Sequence, residues 1–437
     1  MLSIEYLTVY GGVALAVVAT HVWLRRRKLT SHADTYAVSK EAGLNEPVSM
    51  HPQVDPNRCF GSGACVKACP EGALGIVEGK ATLINASACI GHGACISACP
   101  SQALKLVYGT ATRGMDVPVL SPQFETNVPG IFIAGELGGM GLIRKATEQG
   151  RQAMRAVQAK VAQTSAPAPL DVVILGAGPA GLSAGLSAVA MKLRYAIVEQ
   201  EPALGGTVYH YPRNKIAMTL PVKLDVVGEM DLGREVPKER LLSFWKMAVD
   251  KAGLTFQFGE KLQAIEAQAD GSFIVHTSQK DYHTKTVLLA LGRRGSPRKL
   301  GVPGEAQAKV VYRLVDAAQY RGQQVLVVGG GDSAVEAVLA CAAEPGTVVT
   351  LSYRGQALSR VKPLNRQRLV EAEARGQVQV LWSSHVQRID ADAVLLTTPQ
   401  GEQTLPNQAV IVCAGGELPT QLLQGAGIQF DTKFGTA

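Results

Sequence analysis

Residues 171–200, DVVILGAGPAGLSAGLSAVAMKLRYAIVEQ, decide how the rest of this 437-residue chain is read. Val172 to Leu175 is a short apolar run suited to a buried parallel strand. Gly176-Ala177-Gly178-Pro179-Ala180-Gly181 follows, then a helical pattern, then a second apolar run ending at Glu199. In such a unit the first glycine makes the tight turn and the second lets backbone approach a pyrophosphate. The third lets helix pack on strand, and the helix N-terminus faces the negative charge. Glu199 stands about 20 residues beyond the glycines, where a carboxylate accepts bonds from ribose hydroxyls. The glycine spacing alone is weak and also fits a Gly-rich structural turn. Strand, helix and terminal acid around it point to dinucleotide binding.

Working outward, the length allows about three domains. The net charge is +7, much of it in Arg25-Arg26-Arg27-Lys28, so composition gives no reason to expect nucleic-acid binding. Six of the eight cysteines lie between Cys59 and Cys99, and only Cys341 and Cys413 fall outside. That clustering points to metal and a reducing compartment rather than a disulfide framework. Cys341 and Cys413 sit in apolar runs and read as buried small hydrophobes. Residues 2–24 form an apolar stretch with one charge, Glu5, and the basic cluster follows at once. The expectation is a single-pass transmembrane anchor, N-terminus outside, with the remaining domains cytoplasmic. A cleaved signal peptide is the rival, but the basic residues come after the apolar run. Residues 29–50 read as a polar connector.

Two similar segments follow. One is Cys59-Phe-Gly-Ser62-Gly-Ala-Cys65-Val-Lys-Ala-Cys69-Pro, the other Cys89-Ile-Gly-His92-Gly-Ala-Cys95-Ile-Ser-Ala-Cys99-Pro. Both resemble the bacterial two-cluster ferredoxin run C-x2-C-x2-C-x3-C-P, whose fourth cysteine ligates the other cluster. The resemblance implies an α+β ferredoxin-type domain at 52–110 with two iron–sulfur clusters, 4Fe-4S or 3Fe-4S. By the crossing rule one cluster takes Cys59, Cys65 and Cys99, and the other takes Cys89, Cys95 and Cys69. Ser62 and His92 replace the second cysteine of each run. Each is either a fourth ligand or a turn residue, and a three-iron cluster needs neither. Structural zinc is the rival for a Cys3His set; the C-P endings and close spacing favour iron–sulfur.

Residues 111–160 contain Thr126-Asn-Val-Pro-Gly-Ile-Phe-Ile-Ala134-Gly135-Glu136, then Leu142-Ile-Arg144-Lys-Ala146-Thr-Glu-Gln-Gly150. This resembles the closing segment of the flavin domain in thioredoxin-reductase-like flavoproteins. There Gly-Asp meets the ribityl chain and the next helix points its N-terminus at the flavin; here Glu136 replaces the Asp. In that family the segment comes last. Here it precedes the glycine motif, joined to it by a linker at 161–169, so the expectation is a circularly permuted flavin domain. The resemblance implies FAD at Gly176, Gly178, Pro179, Ala180, Gly181 and Glu199, with Gly206, Thr207, Gly135, Glu136, Arg144 and Ala146. Residues 170–305 form the rest of the FAD domain, with 255–258 and 272–276 read as hairpin strands.

A second nucleotide unit occupies 306–437. Val325-Leu-Val-Val-Gly329-Gly-Gly331-Asp-Ser333-Ala334 repeats the strand, turn and helix start, with Ala in the third glycine's place. The next strand ends in Ser352-Tyr353-Arg354 with no acid for a ribose. Arg354, with Arg360, suits a 2′-phosphate, hence NADPH. Thioredoxin reductases carry a Cys-x-x-Cys just before this unit, and here residues 311–320 hold no cysteine. Tyr209-His-Tyr-Pro212 and Tyr353-Arg-Gly also resemble bacillithiol disulfide reductases, relatives without the dithiol.

The fold class expected is α/β. It has two Rossmann-like domains of the thioredoxin-reductase type, the flavin domain permuted, preceded by the ferredoxin-type domain. The function expected is a membrane-anchored NADPH-linked oxidoreductase, ferredoxin–NADP reductase-like. It exchanges electrons with a one-electron protein of ferredoxin or cytochrome type or a membrane carrier, and a homodimer is allowed. The alternatives are a low-molecular-weight thiol-disulfide reductase and a non-catalytic redox sensor.

Overall fold

The computed structural model describes residues 4–41, 47, 50–111, 114–139, 141–293, 296–358, 361–417 and 419–436, with side chains described from Tyr10 onward. The chain divides into two compact units. One comprises 1–113, 357–363 and 434–437, and the other 114–356 and 364–433.

The first unit begins with one continuous helix, Ile4–Glu41. No helix among the described residues is long and apolar enough to cross a membrane. The expected transmembrane anchor at 2–24, and the single-pass topology built on it, are therefore overturned. Gly11, Gly12, Thr20 and His21 dilute the hydropathy. Residues 2 and 3 of that stretch lie outside the described residues. Of the stretch expected as a connector at 29–50, residues 29–41 are helical, continuous through the basic cluster to Glu41. Its later turns dock on the domain that follows. His32 Nδ1 accepts the Ile76 amide at 3.1 Å, and Gly75 leaves room for the His32 ring.

The ferredoxin-type domain is two antiparallel strand pairs, His51–Val54 with Leu104–Val107 and Leu74–Val77 with Lys80–Leu83. Short helices Ala64–Ala68 and Ala94–Ser97 follow left-handed Gly63 and Gly93. Leu74, Ala81, Ala103 and Leu104 pack with Cys59, Cys65 and Cys95 in one buried cluster. Cys59, Cys65, Cys89 and Cys95 are buried, whereas Cys69 and Cys99 are only partly so.

In the second unit a seven-stranded sheet runs in the order Gln257–Phe258, Tyr195–Glu199, Leu170–Leu175, Asp281–Leu289, Phe273–Thr277, Leu262–Ala267. The seventh strand, Ile131–Ile133, lies parallel to the end of Asp281–Leu289, with Val287 opposite Ile131 and Leu289 opposite Ile133. Its three residues are at most 1% exposed, as a strand apolar on both faces requires. The segment therefore docks in its own chain. Helix Ile143–Gln163 packs on helix Pro179–Ala190. Gly150 permits the close approach: a Cβ there would sit 2.1 Å from the Ala180 carbonyl oxygen. The strand Phe430–Lys433 pairs antiparallel with Met115–Pro118. Asn127 bonds both Gly427 O and the Gln429 amide at 2.8 Å. Residues 257–258 are not a hairpin arm; they form the parallel edge beside Tyr195–Glu199.

The second sheet is five parallel strands in the order Val310–Val311, Ala409–Val412, Gln324–Val328, Val348–Tyr353, Val378–Trp382. Ion pairs Lys215–Glu336 and Arg313–Glu201 tie the two sheet regions together.

Asp171 clasps the start of the first sheet. Its carboxylate accepts the Arg194 amide at 3.0 Å and two guanidinium bonds at 3.1 and 2.8 Å, with Lys285 Nζ 3.5 Å away. The Arg194 hydrogen bonds hold its pKa down at about 2, against an opposing contribution from burial. A carboxyl whose folded pKa is depressed contributes stability above its unfolded pKa and loses it as pH falls through the folded one. Asp171→Asn should therefore be less stable than the parent at pH 7, by about 1 kcal/mol after discounting for the solvent around Arg194. The two urea-unfolding curves should converge as pH approaches about 2. A gap that is constant from pH 7 to 2 would rule out this linkage.

Candidate functional site

The first strand of the seven-stranded sheet ends at Leu175, and Gly176 turns the chain at φ +114°. A Cβ at Gly176 would lie 2.4 Å from Ala290 O, and one at Gly181 would lie 1.8 Å from Gly176 O. Gly178 differs. A Cβ there meets nothing nearer than Gly206 Cα at 4.0 Å, so the absent side chain leaves an open cradle over the helix N-terminus. Pro179 occupies the first helical turn, where its missing N–H costs nothing. The three glycines thus divide into two required by packing and one that leaves space.

Glu199 ends the adjacent strand, 6% exposed. Its Oε2 accepts the Ala177 amide at 2.7 Å and its Oε1 the Glu201 amide at 2.9 Å. Burial pushes its pKa up, against these bonds. Each oxygen retains a lone pair for a ribose hydroxyl. Gly206 and Thr207 open a short turn, with Gly206 close against Gly178.

The segment from 131 to 150 completes the cradle. Ala134 N donates to Leu289 O at 3.0 Å. Gly135, at φ +86°, is brought against Ala180, where a Cβ would be 3.0 Å from that methyl. Glu136 is half-buried in the following turn. Arg144 and Ala146 lie in the first turns of helix Ile143–Gln163, and the Arg144 Nε is shielded from solvent with no hydrogen-bond partner. An open cradle, an acid at the strand end and an orphaned cationic donor fit a bound flavin dinucleotide. Gln149 escaped the sequence reading; its Oε1 accepts the Gly135 amide at 2.9 Å and fixes that turn. Nothing in its helical context marks it.

In the second nucleotide unit a Cβ on Gly329 would meet Cys413 O at 2.4 Å, and Ala334 is fully buried behind it. A Cβ on Gly330 would enter the Tyr353 ring, so Tyr353 lies on the glycine loop, while Gly331 faces open space. Ser333 begins helix Asp332–Ala342 with Asp332. Arg354 is exposed, with no ion-pair partner among the described residues, and Arg360 lies outside the described residues. Sequence reasoning missed Arg366. One guanidinium nitrogen there is buried without a partner, burial lowers its pKa despite nearby Asp332, and Asn365 donates to that Asp332 at 2.8 Å. Cys341 is fully buried, its thiol pushed up to about 11 by burial. Cys413, expected buried, is only partly so, because the strand ends at Val412.

The six clustered sulfurs fall into the two crossed sets. Burial raises the pKa of Cys65, and the Cys59 and Cys99 sulfurs raise it further. Cys95 is pushed up to about 11 by burial, then by Cys89 and Cys69. Cys59, Cys65, Cys99 and Ser62 share the lining of one cavity. Backbone amides already point at sulfur, Ala81 N to Cys59 Sγ at 3.4 Å and Ala103 N to Cys99 Sγ at 3.3 Å. Among the described residues no three His, Cys, Asp or Glu side chains stand close enough to hold a single ion. Three thiols around one cavity, with backbone amides turned to sulfur, fit an iron–sulfur cluster.

Residues 173–435 match the family described as pyridine nucleotide-disulphide oxidoreductase, and residues 51–100 match the 4Fe-4S dicluster domain. The chain is 31% identical over 260 residues to a ferredoxin–NADP reductase of Thermus thermophilus, covering 56% of this chain and 72% of that protein. It is 25% identical over 267 residues to the bacilliredoxin reductase Bdr of Bacillus subtilis, covering 60% and 82%. The solved bacillithiol disulfide reductase of Bacillus cereus gives a TM-score of 0.53 at 24% identity, covering 60% of this chain and 82% of that one, a likeness of fold alone.

Because Gly178 has free space where the other two glycines do not, substitutions separate fold from cofactor. Gly178→Val should keep the parent's circular dichroism and melting behaviour without flavin, yet purify free of FAD. Gly181→Ala should instead unfold more easily, by about 2 kcal/mol or more, since backbone must move. One FAD per chain in Gly178→Val would show that the cradle is elsewhere.

Proposed function

The chain belongs to the pyridine nucleotide-disulphide oxidoreductase family, and on that premise we propose an NADPH-dependent iron–sulfur flavoprotein that exchanges electrons with a one-electron carrier protein of ferredoxin or cytochrome type. One observation carries the reading. Six cysteines form two three-sulfur sets in a domain fused ahead of the flavin-type fold, whereas residues 170–437 contain only Cys341 and Cys413 and no Cys-x-x-Cys. The Thermus relative's name supports the same direction.

Bound FAD would supply exchange between a hydride and single electrons, and the clusters would supply one-electron carriage. The chain's own residues do the rest. Gly176 to Gly181 present helix-terminal amides to a pyrophosphate, and Glu199 accepts ribose hydroxyls. Gly135, Glu136, Arg144 and Ala146 bound the flavin end, with Gly206 and Thr207 opposite. Gly329, Gly331, Ser333 and Ala334 receive the nicotinamide dinucleotide, Tyr353 covers the loop, and Arg354 with Arg360 meets the 2′-phosphate. Residues 111–160 act as the family's closing flavin segment, moved to the front of its domain. The pairing of Phe430–Lys433 with Met115–Pro118 supports that, because it holds the two ends of the permuted fold together.

Cys65→Ala and Cys95→Ala should each keep FAD and its bleaching by NADPH. Both should lose at least tenfold in reducing a one-electron protein acceptor, while a small dye is still reduced. The bacilliredoxin reductase relative favours a disulfide substrate as the second reading; undiminished protein-acceptor reduction in both variants, together with disulfide turnover, would put that reading first. In the nicotinamide unit, Arg354→Ala combined with Arg360→Ala should cost about 1.5–3 kcal/mol in NADPH binding, roughly ten- to a hundredfold, with NADH unchanged. An unaltered NADPH-to-NADH ratio would count against those two residues.

A further inference from the structure

The two three-sulfur sets are built on loops of the same backbone but different side chains. Gly61 and Gly63 flank Ser62 at φ +71° and +75°, and Gly91 and Gly93 flank His92 at +72° and +79°. Each loop runs into a short helix carrying the next cysteine. Both loops are pinned: a Cβ on Gly61 would lie 2.2 Å from Gly79 O, and one on Gly91 would lie 2.5 Å from Met50 O. Residue 92 therefore stands to Cys89, Cys95 and Cys69 as residue 62 stands to Cys59, Cys65 and Cys99. Ser62 lines the cavity of its own set.

The side chains differ in what they offer. The Ser62 hydroxyl accepts the Ala64 amide at 3.4 Å, a local turn on an exposed edge, and serves as an anionic ligand only after losing a proton of high pKa. The Nε2 of His92 is shielded from solvent and has no hydrogen-bond partner. A buried nitrogen left so is costly, and neutral imidazole binds metal without losing a proton. Resting on the iron–sulfur reading above, we propose that His92 Nε2 is the fourth protein ligand of the centre held by Cys69, Cys89 and Cys95. The centre of Cys59, Cys65 and Cys99 has three protein ligands and one position open to solvent or a small exogenous ligand. The two centres are thus inequivalent. A neutral nitrogen raises a centre's potential relative to a fourth thiolate in its place.

The test uses the full chain, purified anaerobically with ¹⁵N-labelled histidine and reduced, and read by pulsed EPR. Expected is a directly ligated histidine nitrogen at one centre only. In His92→Cys that coupling should vanish with iron and sulfide content unchanged, and the affected centre should become harder to reduce. Full iron and sulfide without any ligated nitrogen in the parent, or a coupling that survives in His92→Cys, would overturn the assignment. If His92→Cys assembles poorly, His92→Ala serves for the loss of coupling, and the parent spectrum already decides whether a histidine ligates. A chain that binds no iron would instead defeat the iron–sulfur reading itself.

Discussion

The strand Asp281–Leu289 must find hydrogen-bond partners on both edges over its buried second half. One edge is served by Leu170–Leu175. On the other, Phe273–Thr277 pairs only with residues 281–284, leaving Val287 to Leu289 fully buried with backbone groups to satisfy. Ile131–Ile133 fills that gap. Its placement carries Gly135 to Ala180, sets helix Ile143–Gln163 against helix Pro179–Ala190, and so closes the cradle around Gly178. A requirement of backbone pairing in one strand thus determines where a segment from the other side of the linker must lie.

Much of this could be read from residue order because the relevant constraints are local. Glycines forced by carbonyl approach within a few ångströms recur at fixed spacing, so the two nucleotide turns and the two cysteine loops were legible. So was the buried strand at Ile131-Phe-Ile, through its apolar run ahead of a glycine turn. What could not be read depends on partners distant in sequence. Gln149 and Arg366 sit in polar helical patterns, and only the fold brings them to Gly135 and Asp332. Cys413 follows an apolar strand and was expected to share its burial, but the strand ends one residue earlier. The N-terminal stretch was misjudged for another reason. Gly11, Gly12, Thr20 and His21 were counted within an apolar run whose hydropathy they dilute, in a helix that continues past the basic cluster to Glu41.

In the ferredoxin-type domain the backbone is repeated and the chemistry is not. Left-handed glycines and the carbonyls facing them fix both loops, so a side chain between the glycines changes without moving the sulfurs. Serine at one such place and histidine at the other therefore change what each loop offers metal while leaving its three cysteines in position. The buried sulfurs also serve as core, packing against Leu74 and Leu104, so the domain's stability and its metal content are coupled.

The order of segments along the chain has a consequence for biosynthesis. Ile131, Phe132 and Ile133 leave the ribosome well before the strand that receives them, which ends at Leu289. Synthesis proceeds at about 5–20 residues per second, so this apolar strand waits on the order of ten seconds with its edges unpaired. Met115–Pro118 waits longer, until Phe430–Lys433 is made. The nascent chain therefore carries an aggregation-prone strand through much of its translation. A segment made after its partner strand would not bear that wait.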